Sequence, residues 1–216
     1  MSRRGLRLLP VAALLAVTGL AAGCGHSASP TSRASSQPSE LTDHTSSVYQ
    51  GVGETPPLPR PQFSLTDQNG AAYNFGQQTR GKPTLLYFGY THCPDVCPTT
   101  LADISQALAA VPAKVRQATQ VVFVTTDVKR DTPGVLKAYL AQFDTGLPNR
   151  FIGLTGSQAQ VDAAQVAAHV ALAEDGGQTH SASVLLYGSD NYARVSYLQS
   201  TGEAGQIAHD LPLIAG

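Results

Sequence analysis

Two cysteines with three residues between them are the feature of the sequence best suited to chemistry. Cys93 and Cys97 follow an apolar run at residues 84–88 and precede a segment of helical periodicity at residues 99–111. Thiolates are nucleophiles and ligands for soft metals, so the pair suits disulfide exchange or metal binding. A fixed disulfide is the alternative, but a bond across so short a loop restricts the unfolded chain little. We therefore expect a reactive or metal-binding dithiol.

The local sequence places the second thiol at the start of a helix. Pro98 fits the first helical turn, where the missing N–H of a proline has no partner to lose. Cys97 would then lie near the N-cap, where the helix dipole and unpaired backbone N–H groups stabilise a thiolate. For this reason we expect the pKa of the Cys97 thiol to be lowered.

The elements around the pair alternate between strand and helix. Beyond the strand and helix that flank the cysteines, apolar patterns predict strands at residues 121–125, 151–154, 184–187 and 192–198, and helices at residues 133–143, 157–170 and from about residue 202. Asn69 and Gly70 predict a tight turn in a hairpin over residues 63–75. The order predicts an α/β fold, in which a central sheet carries helices on both faces and an N-terminal hairpin extension. Open α/β sheets form their sites at the carboxyl ends of strands, which is where Cys93 lies.

Composition and charge exclude several classes of protein. Of the 216 residues, 42% are hydrophobic and 13% are charged, with 14 Lys and Arg against 15 Asp and Glu. This balance argues against a nucleic-acid-binding face and against a fully disordered chain. Three cysteines are too few for a disulfide-dense scaffold or a cysteine-rich zinc array. The length favours one folded domain with additional segments.

The N-terminus has the pattern of a bacterial export signal. Residues 1–23 combine an arginine-containing start, an apolar stretch and small residues before Cys24. Residues 20–24, Leu-Ala-Ala-Gly-Cys, resemble the lipobox of bacterial lipoproteins, which implies a signal peptide at residues 1–23 and lipidation of Cys24. There are two alternatives. Ordinary cleavage could leave Cys24 as a free thiol, or the segment could stay uncleaved as an anchor. Residues 24–59 are rich in Ser, Thr, Pro, Gly and Gln, which predicts a flexible tether before a domain at residues 60–216.

The segment at residues 89–98 carries a specific resemblance. Its sequence, Gly-Tyr-Thr-His-Cys-Pro-Asp-Val-Cys-Pro, resembles the signature of the Sco/SenC family, thioredoxin-fold copper proteins that help to assemble the dinuclear copper centre of cytochrome c oxidase. Residues 127–133 and 153–157 are similar to two further blocks of that family, and residues 180–183 to the block with its histidine ligand. The resemblance extends over nearly all of residues 60–213 and implies a thioredoxin-like central sheet.

The resemblance also implies a copper site made of Cys93, Cys97 and His180. Two thiolates and one imidazole form a soft, low-coordinate ligand set that suits Cu(I), whereas the rival metal zinc prefers four ligands. His92 could complete a set of four, but a residue adjacent to a ligand usually points elsewhere. From the sequence alone the role of His180 stays open, because it depends on the fold bringing it to the cysteines.

Three further positions bear on this implied site. Asp127 stands at the end of a predicted strand, and two roles are open for it. It could lie near the thiols and influence their pKa values, or it could form hydrogen bonds within a turn. Val128 stands where the family usually has Pro, and Thr179 where an Asp commonly precedes the ligand histidine. The change at Thr179 removes an expected neighbour of the imidazole, which loosens its orientation. Neither departure removes a ligand.

Three functions compete on these observations. A copper chaperone, lipid-anchored on the extracytoplasmic face of the bacterial cell membrane, would pass Cu(I) to the copper-accepting subunit of cytochrome c oxidase. A thiol-disulfide reductase that maintains the cysteines of the same acceptor would need the thiols but not His180. A peroxide-reducing enzyme would need Thr and Arg arranged around an activated Cys, which this spacing does not suggest. We expect the chaperone, with no catalytic residue and with a thiol reductant as a second partner.

Overall fold

The computed structural model describes residues 48–198 and 203–216. Within these ranges the chain forms one eight-stranded sheet and six α-helices. The strands are β1 (Val52–Pro59), β2 (Ser64–Asp67), β3 (Ala72–Asn74), β4 (Thr84–Gly89), β5 (Gln120–Thr125), β6 (Ile152–Thr155), β7 (Ser183–Tyr187) and β8 (Tyr192–Leu198). The helices are α1 (Phe75–Gln78), α2 (Val96–Ala110), α3 (Ala113–Ala118), α4 (Pro133–Leu140), α5 (Gln158–Ala167) and α6 (Glu203–Ala215), with a 3₁₀ turn at Asp175–Gly177.

The order of the strands determines which loops meet. Across the sheet the order is β1-β8-β7-β4-β5-β6-β2-β3. β4 and β5 are parallel, so that Gly89 pairs with Thr125 at their carboxyl ends. β7 is antiparallel to β4 and pairs Val184, near its start, with Tyr87. The loops that follow β4 and β5 and the loop that precedes β7 therefore lie at one end of the sheet.

Both faces of the central strands are buried, which explains their unbroken apolar sequences. Every residue of β4 is buried. Tyr87 and Phe123 point to the face covered by α2, α4 and α6, whereas Phe88 and Val124 point to the face covered by α5. This arrangement confirms the predicted α/β fold with helices on both faces of a central sheet.

The predicted N-terminal hairpin is present and belongs to the same sheet. β2 and β3 form it, and β2 also pairs with β6 through Thr66 and Thr155. Gly70 has a φ of +81°, as a tight turn requires, so the glycine supplies the left-handed conformation there. The hairpin thus forms one edge of the sheet.

The predicted end of the flexible tether at residue 59 is wrong. Val52–Pro59 forms β1, an edge strand that pairs with β8 and carries a bulge between Gly53 and Leu58. Prolines are tolerated on an edge strand, because the outer N–H groups have no ladder partner to lose. The composition of this segment is therefore that of a linker, although its backbone pairs with β8. The remainder of the predicted tether, Cys24 and the predicted signal at residues 1–23 lie outside the described residues, apart from the short stretch 48–51.

Other differences are confined to the ends of elements and to short helices. α2 begins at Val96, three residues earlier than its apolar periodicity predicted, and α1 and α3 were not predicted. The predicted start of the last helix, near residue 202, falls at the border of the described residues. In the part of the chain that the structure describes, no helix has both the length and the apolar character needed to cross a membrane.

Candidate functional site

The two cysteines lie where β4 passes into α2. Cys93 is in the connecting loop and is half-buried, whereas Cys97 is in the first turn of α2 and is fully buried. Gly89 ends β4 beneath them, and a Cβ atom at this position would lie 2.8 Å from the Cys97 sulfur. Both thiols are free, so a fixed disulfide is not what the structure contains. The sulfur of Cys97 can therefore rest directly on the backbone of β4.

The two thiols differ in their electrostatic environment. Partial burial acts to raise the pKa of Cys93, but hydrogen bonds from the backbone N–H groups of Cys97, Asp95 and Val96 outweigh it, so the pKa of Cys93 is lowered. Burial raises the pKa of Cys97 to about 12. The expectation of a lowered pKa at Cys97 was wrong. The N–H groups of the first helical turn point at the earlier sulfur, and the distance from the Cys97 N to the Cys93 Sγ is 3.3 Å.

His180 reaches the thiols from the loop before β7. Its Nε2 atom lies 3.7 Å from the Sγ atom of Cys97, although 83 residues separate the two in the sequence. Its Nδ1 atom lies 2.9 Å from the carbonyl oxygen of Ser181. A carbonyl can only accept, so Nδ1–H donates, and in the neutral ring Nε2 carries the lone pair that faces Cys97. Burial lowers the pKa of His180, against the opposing effect of the Ser181 hydrogen bond, and so favours this neutral form.

Two tyrosines surround the imidazole and the buried sulfur. The ring of Tyr90 is perpendicular to that of His180, with centroids 5.6 Å apart, and the ring of Tyr87 lies at 6.3 Å. The hydroxyl of Tyr87 donates to the Cys97 sulfur over 3.3 Å. The sequence analysis did not single out either residue. Tyr87 belongs to the apolar run before the cysteines, where alternation along the strand places it on the same face as Gly89.

The loop that carries His180 is fixed against the end of β5. The Thr126 hydroxyl donates to the carbonyl of Gly177 over 2.6 Å. Gly177 has a φ of +97°, and a Cβ atom there would lie 2.0 Å from the carbonyl oxygen of Thr126, so glycine is required for this close approach. Thr179, which stands in place of the expected acid, donates to the Asp175 carboxylate over 3.0 Å. The imidazole thus takes its orientation from the adjacent Ser181 carbonyl rather than from residue 179.

Asp131 is a buried carboxylate in the Asp-Thr-Pro sequence at the start of α4, a pattern typical of helix capping. It accepts hydrogen bonds from the backbone N–H and the hydroxyl of Thr91, over 2.9 and 2.6 Å, and from the hydroxyl of Thr125 over 2.6 Å. The cap of α4 is instead the hydroxyl of Thr132, which accepts from the Val135 N–H. Asp131 therefore joins the loop before Cys93 to the end of β5. Capping and loop fixation favour the same Asp-Thr-Pro sequence, so the sequence could not separate them.

The remaining predicted positions lie around this centre. The carboxylate of Asp127 is buried and pairs with the guanidinium of Arg130, which stacks over the ring of Tyr90 at 6.0 Å. The backbone carbonyl of Asp127 accepts from the N–H groups of Arg130 and Asp131. Asp127 thus organises the turn after β5. His92 is half-exposed, and its Nδ1 lies 3.0 Å from the Thr91 hydroxyl.

The site opens to solvent through a cleft of about 400 Å³. Cys93 and His180 line it together with Tyr90, Val96 and Ala182. In the described residues, no group of three or more His, Cys, Asp or Glu side chains is gathered closely enough to hold a metal ion. Cys97 and His180 are neighbours, and Cys93 adjoins Cys97. The joint role of the three residues as metal ligands stays a prediction. The arrangement provides an accessible thiol, a buried thiol and an imidazole lone pair beside one cleft.

Fold and site define a thioredoxin-like protein in which a dithiol lies next to a neutral imidazole. A solved structure of Bradyrhizobium japonicum ScoI with copper bound is 36% identical and superposes with a TM-score of 0.59, covering 73% of this chain and 99% of that one. The apo Sco1 protein of Thermus thermophilus is 29% identical with a TM-score of 0.65, covering 77% of this chain and 97% of that one.

Sequence comparison gives the same relationship. The family model described as SCO1/SenC matches residues 54–215, and the chain belongs to this family. A Stutzerimonas stutzeri protein named for copper binding is 37% identical over 147 residues, covering 63% of this chain and 70% of that protein. Several other relatives match over less than half of their own length. Yeast Sco1 with copper bound, and BsSco, a member of the Sco family of cytochrome c oxidase assembly proteins, are also among the structures whose fold resembles that of this chain.

Proposed function

We propose that the protein is a copper chaperone that binds Cu(I) through Cys93, Cys97 and His180 and delivers it to the copper centre of cytochrome c oxidase. One observation carries the proposal: Nε2 of His180 lies 3.7 Å from the sulfur of Cys97. Cys93 adjoins Cys97, whose N–H donates to its sulfur, and it lines the same cleft as His180. The fold thus brings a histidine 83 residues away in sequence to the buried thiol, with its lone pair directed at the sulfur, as a shared ligand set requires.

The donor set fits copper as cargo. Two thiolates and an imidazole are soft ligands, and three of them satisfy Cu(I) while leaving zinc one ligand short. The neutral tautomer of His180 is the one able to bind a metal through Nε2, because Nδ1–H is held by Ser181. Cys93 lines the cleft whereas Cys97 is buried. An acceptor can therefore exchange first with the accessible thiolate, which makes transfer by ligand exchange possible without full release of the ion.

The membrane tether is part of the same proposal. We infer that Cys24 is lipidated and holds the domain at the extracytoplasmic face of the cell membrane, because residues 20–24 resemble a lipobox. β1 starts at the end of the sheet that carries the cysteines: Val52 pairs with Ser196, and β8 and β7 continue that register to β4. The described chain thus enters the sheet on the side of the site, which suits transfer to a membrane-embedded acceptor.

An anaerobic competition titration of the reduced chain with Cu(I) tests the ligand set. We expect one-to-one binding that Cys93→Ser or Cys97→Ser abolishes and that His180→Ala weakens. His92→Ala is the matched control, because His92 adjoins Cys93 but faces Thr91 and should leave the affinity unchanged. Wild-type affinity in either cysteine variant would refute the site. Intact-mass analysis of membrane-extracted protein tests the anchor, and an unmodified Cys24 would refute it.

A second candidate, thiol-disulfide reductase, is favoured by the difference between the thiols. The half-buried Cys93, whose pKa is lowered, suits attack on a disulfide, and the buried Cys97 suits resolution of the mixed disulfide. This function needs no imidazole. If His180→Ala leaves disulfide reduction intact but wild-type protein fails to bind Cu(I) tightly, the reductase is the better assignment.

A further inference from the structure

The geometry points to Tyr87 as a positioning residue that stabilises the sulfur of Cys97 in the reduced and copper-bound states through its hydroxyl. This inference rests on the proposed function for its copper part, whereas its redox part concerns the dithiol alone. The contact on which it depends is the hydrogen bond from the Tyr87 hydroxyl to the Cys97 Sγ, 3.3 Å long and buried.

Burial makes this donor important. Cys97 is fully buried, and an unsolvated thiolate depends on the donors that the protein supplies. The Tyr87 hydroxyl and the backbone N–H of Tyr90 both reach its sulfur. Nε2 of His180 contributes a lone pair rather than a proton when the ring is neutral. Among the described side chains around this sulfur, Tyr87 is therefore the one placed to donate a hydrogen bond to the Cys97 thiolate while His180 binds the metal.

The position of Tyr87 is rigid. Its side chain is fully buried in β4, where the strand is paired on both sides. Its ring packs on Phe123 with centroids 5.7 Å apart and on His180 at 6.3 Å. Such packing holds the hydroxyl in place before copper or an oxidant arrives. A preorganised donor favours the charged sulfur without a reorganisation cost.

The chain contains a matched control for the hydroxyl. Tyr139 packs against the same Phe123 ring, with centroids 6.0 Å apart, and is also part of the core around α2. Its hydroxyl is buried and has no hydrogen-bond partner among the described residues. Tyr139→Phe thus removes the same atom from the same core without removing a hydrogen bond to sulfur.

The redox step and the binding step use the contact differently. Oxidation of the Cys93 and Cys97 thiols forms one S–S bond and releases two electrons and two protons, which a glutathione redox buffer accepts as its disulfide is reduced. In the reduced structure the Cys97 thiol accepts this hydrogen bond. The uncharged disulfide sulfur accepts it more weakly, whereas the thiolate bound to Cu(I) accepts it strongly. Loss of the Tyr87 donor should therefore favour the disulfide modestly and weaken Cu(I) binding more.

Two measurements on the full chain test the inference, with Tyr87→Phe compared with Tyr139→Phe. We expect Tyr87→Phe to weaken Cu(I) binding roughly tenfold, as loss of a hydrogen bond to a charged group implies. We also expect it to lower the equilibrium constant for disulfide reduction roughly threefold in the glutathione buffer, which corresponds to about 15 mV more negative for a two-electron couple. Tyr139→Phe should change neither quantity. Circular dichroism confirms that both variants are folded.

The outcomes separate the inference from the proposed function. Equal effects of the two variants, or no effect of Tyr87→Phe on either quantity, would overturn the role of Tyr87. If wild-type protein does not bind Cu(I), the chaperone proposal fails, and the redox equilibrium alone decides whether Tyr87 acts on Cys97. If Tyr87→Phe is destabilised, a Tyr87→Met variant that also lacks the donor must show the same loss for the role to stand.

Discussion

The backbone N–H of Cys97 donates to the sulfur of Cys93 over 3.3 Å, so the first turn of α2 stabilises charge on the cysteine that precedes it. The sulfur of Cys97 itself is enclosed by protein and has a raised pKa. One short loop therefore holds an accessible thiol that ionises readily and a buried thiol that does not. Because of this difference, Cys93 is the thiol suited to react first in either metal exchange or disulfide exchange, and Cys97 the thiol suited to react second.

Selective alkylation should reveal this difference. Iodoacetamide at neutral pH should modify Cys93 at least about tenfold faster than Cys97, because the thiolate is the reactive species and Cys93 is accessible. Mass spectrometry of the two cysteine-containing peptides over time provides the measurement. In denaturing urea the two rates should become similar. Equal rates in the folded protein would contradict the difference in pKa and burial.

Stability should decline in alkaline solution because of Cys97. Its folded pKa of about 12 lies above the value of an unfolded cysteine, so at pH 9 to 10 the unfolded chain has lost a proton that the folded chain keeps. The unfolded state then binds fewer protons, and the free energy of unfolding falls as pH rises through this window, by up to about 1.4 kcal/mol per pH unit. Urea unfolding of the reduced protein at pH 8, 9 and 10 measures it.

Cys97→Ala provides the comparison for the alkaline decline. Below the pKa of the unfolded cysteine, the contribution of Cys97 to the free energy of unfolding does not depend on pH. In that range the free energies of unfolding of the variant and the wild type should therefore change in parallel. Above it the variant should lose less stability than the wild type. Several buried tyrosines have raised pKa values and also lower the free energy of unfolding at higher pH. This contribution is the same in the variant and in the wild type. Identical slopes between pH 8 and 10 would show that Cys97 ionises as freely in the folded state.

Much of the fold could be predicted from the sequence because burial leaves a strong pattern. The unbroken apolar run of β4 reflects burial on both faces. The helix predicted from residue 157 starts at Gln158, directly after a capping box formed by Ser157 and Gln160. β1 could not be predicted in the same way. It is held by pairing with β8 and by Asp210, and neither contact is visible in a Pro-rich segment read alone.

The site was predictable only to the extent that its chemistry is local. Cys93 and Cys97 lie close in sequence, so their proximity needed no knowledge of the fold. His180 was identified through resemblance, because sequence spacing cannot show that the loop before β7 returns to β4. The direction of the pKa shift at Cys97 was wrong because proximity to a helix start was weighed without burial. Asp131 was missed as a link between loops because the hydrogen bonds to Thr91 and Thr125 form only when the fold brings these residues together.

Gly89→Ala should distort the site through a single methyl group. The added Cβ would lie 2.8 Å from the Cys97 sulfur and 2.9 Å from Cε2 of Phe123, closer than such contacts normally occur. Overpacking of this kind costs about 1 to 3 kcal/mol. Thermal unfolding should show the loss, and Cu(I) affinity should fall because the Cys97 sulfur is displaced. Gly134→Ala is the matched control: it lies in α4 with open space around it and should stabilise the helix slightly.

We expect Asp210, in α6, to hold the start of β1 in place. Its buried carboxylate accepts from the backbone N–H groups of Gln50 and Gly51, over 2.8 and 2.9 Å, and from the hydroxyl of Tyr197 over 3.2 Å. Asp210→Ala removes a charged acceptor from these three donors and from the adjacent His209 ring, and should cost about 2 to 4 kcal/mol in the free energy of unfolding. Limited proteolysis should also cut faster near Gln50, because β1 would be released at its start.

Asp162→Ala separates this effect from the general loss of an acidic side chain. Asp162 accepts one exposed hydrogen bond from Gln158 within α5, so its replacement should change the free energy of unfolding by less than about 0.5 kcal/mol. It should also leave cleavage near Gln50 unaltered. If Asp210→Ala behaves like Asp162→Ala in both measurements, pairing with β8 alone holds β1. If it does not, the start of β1 is held by a carboxylate in the last helix as well as by β8.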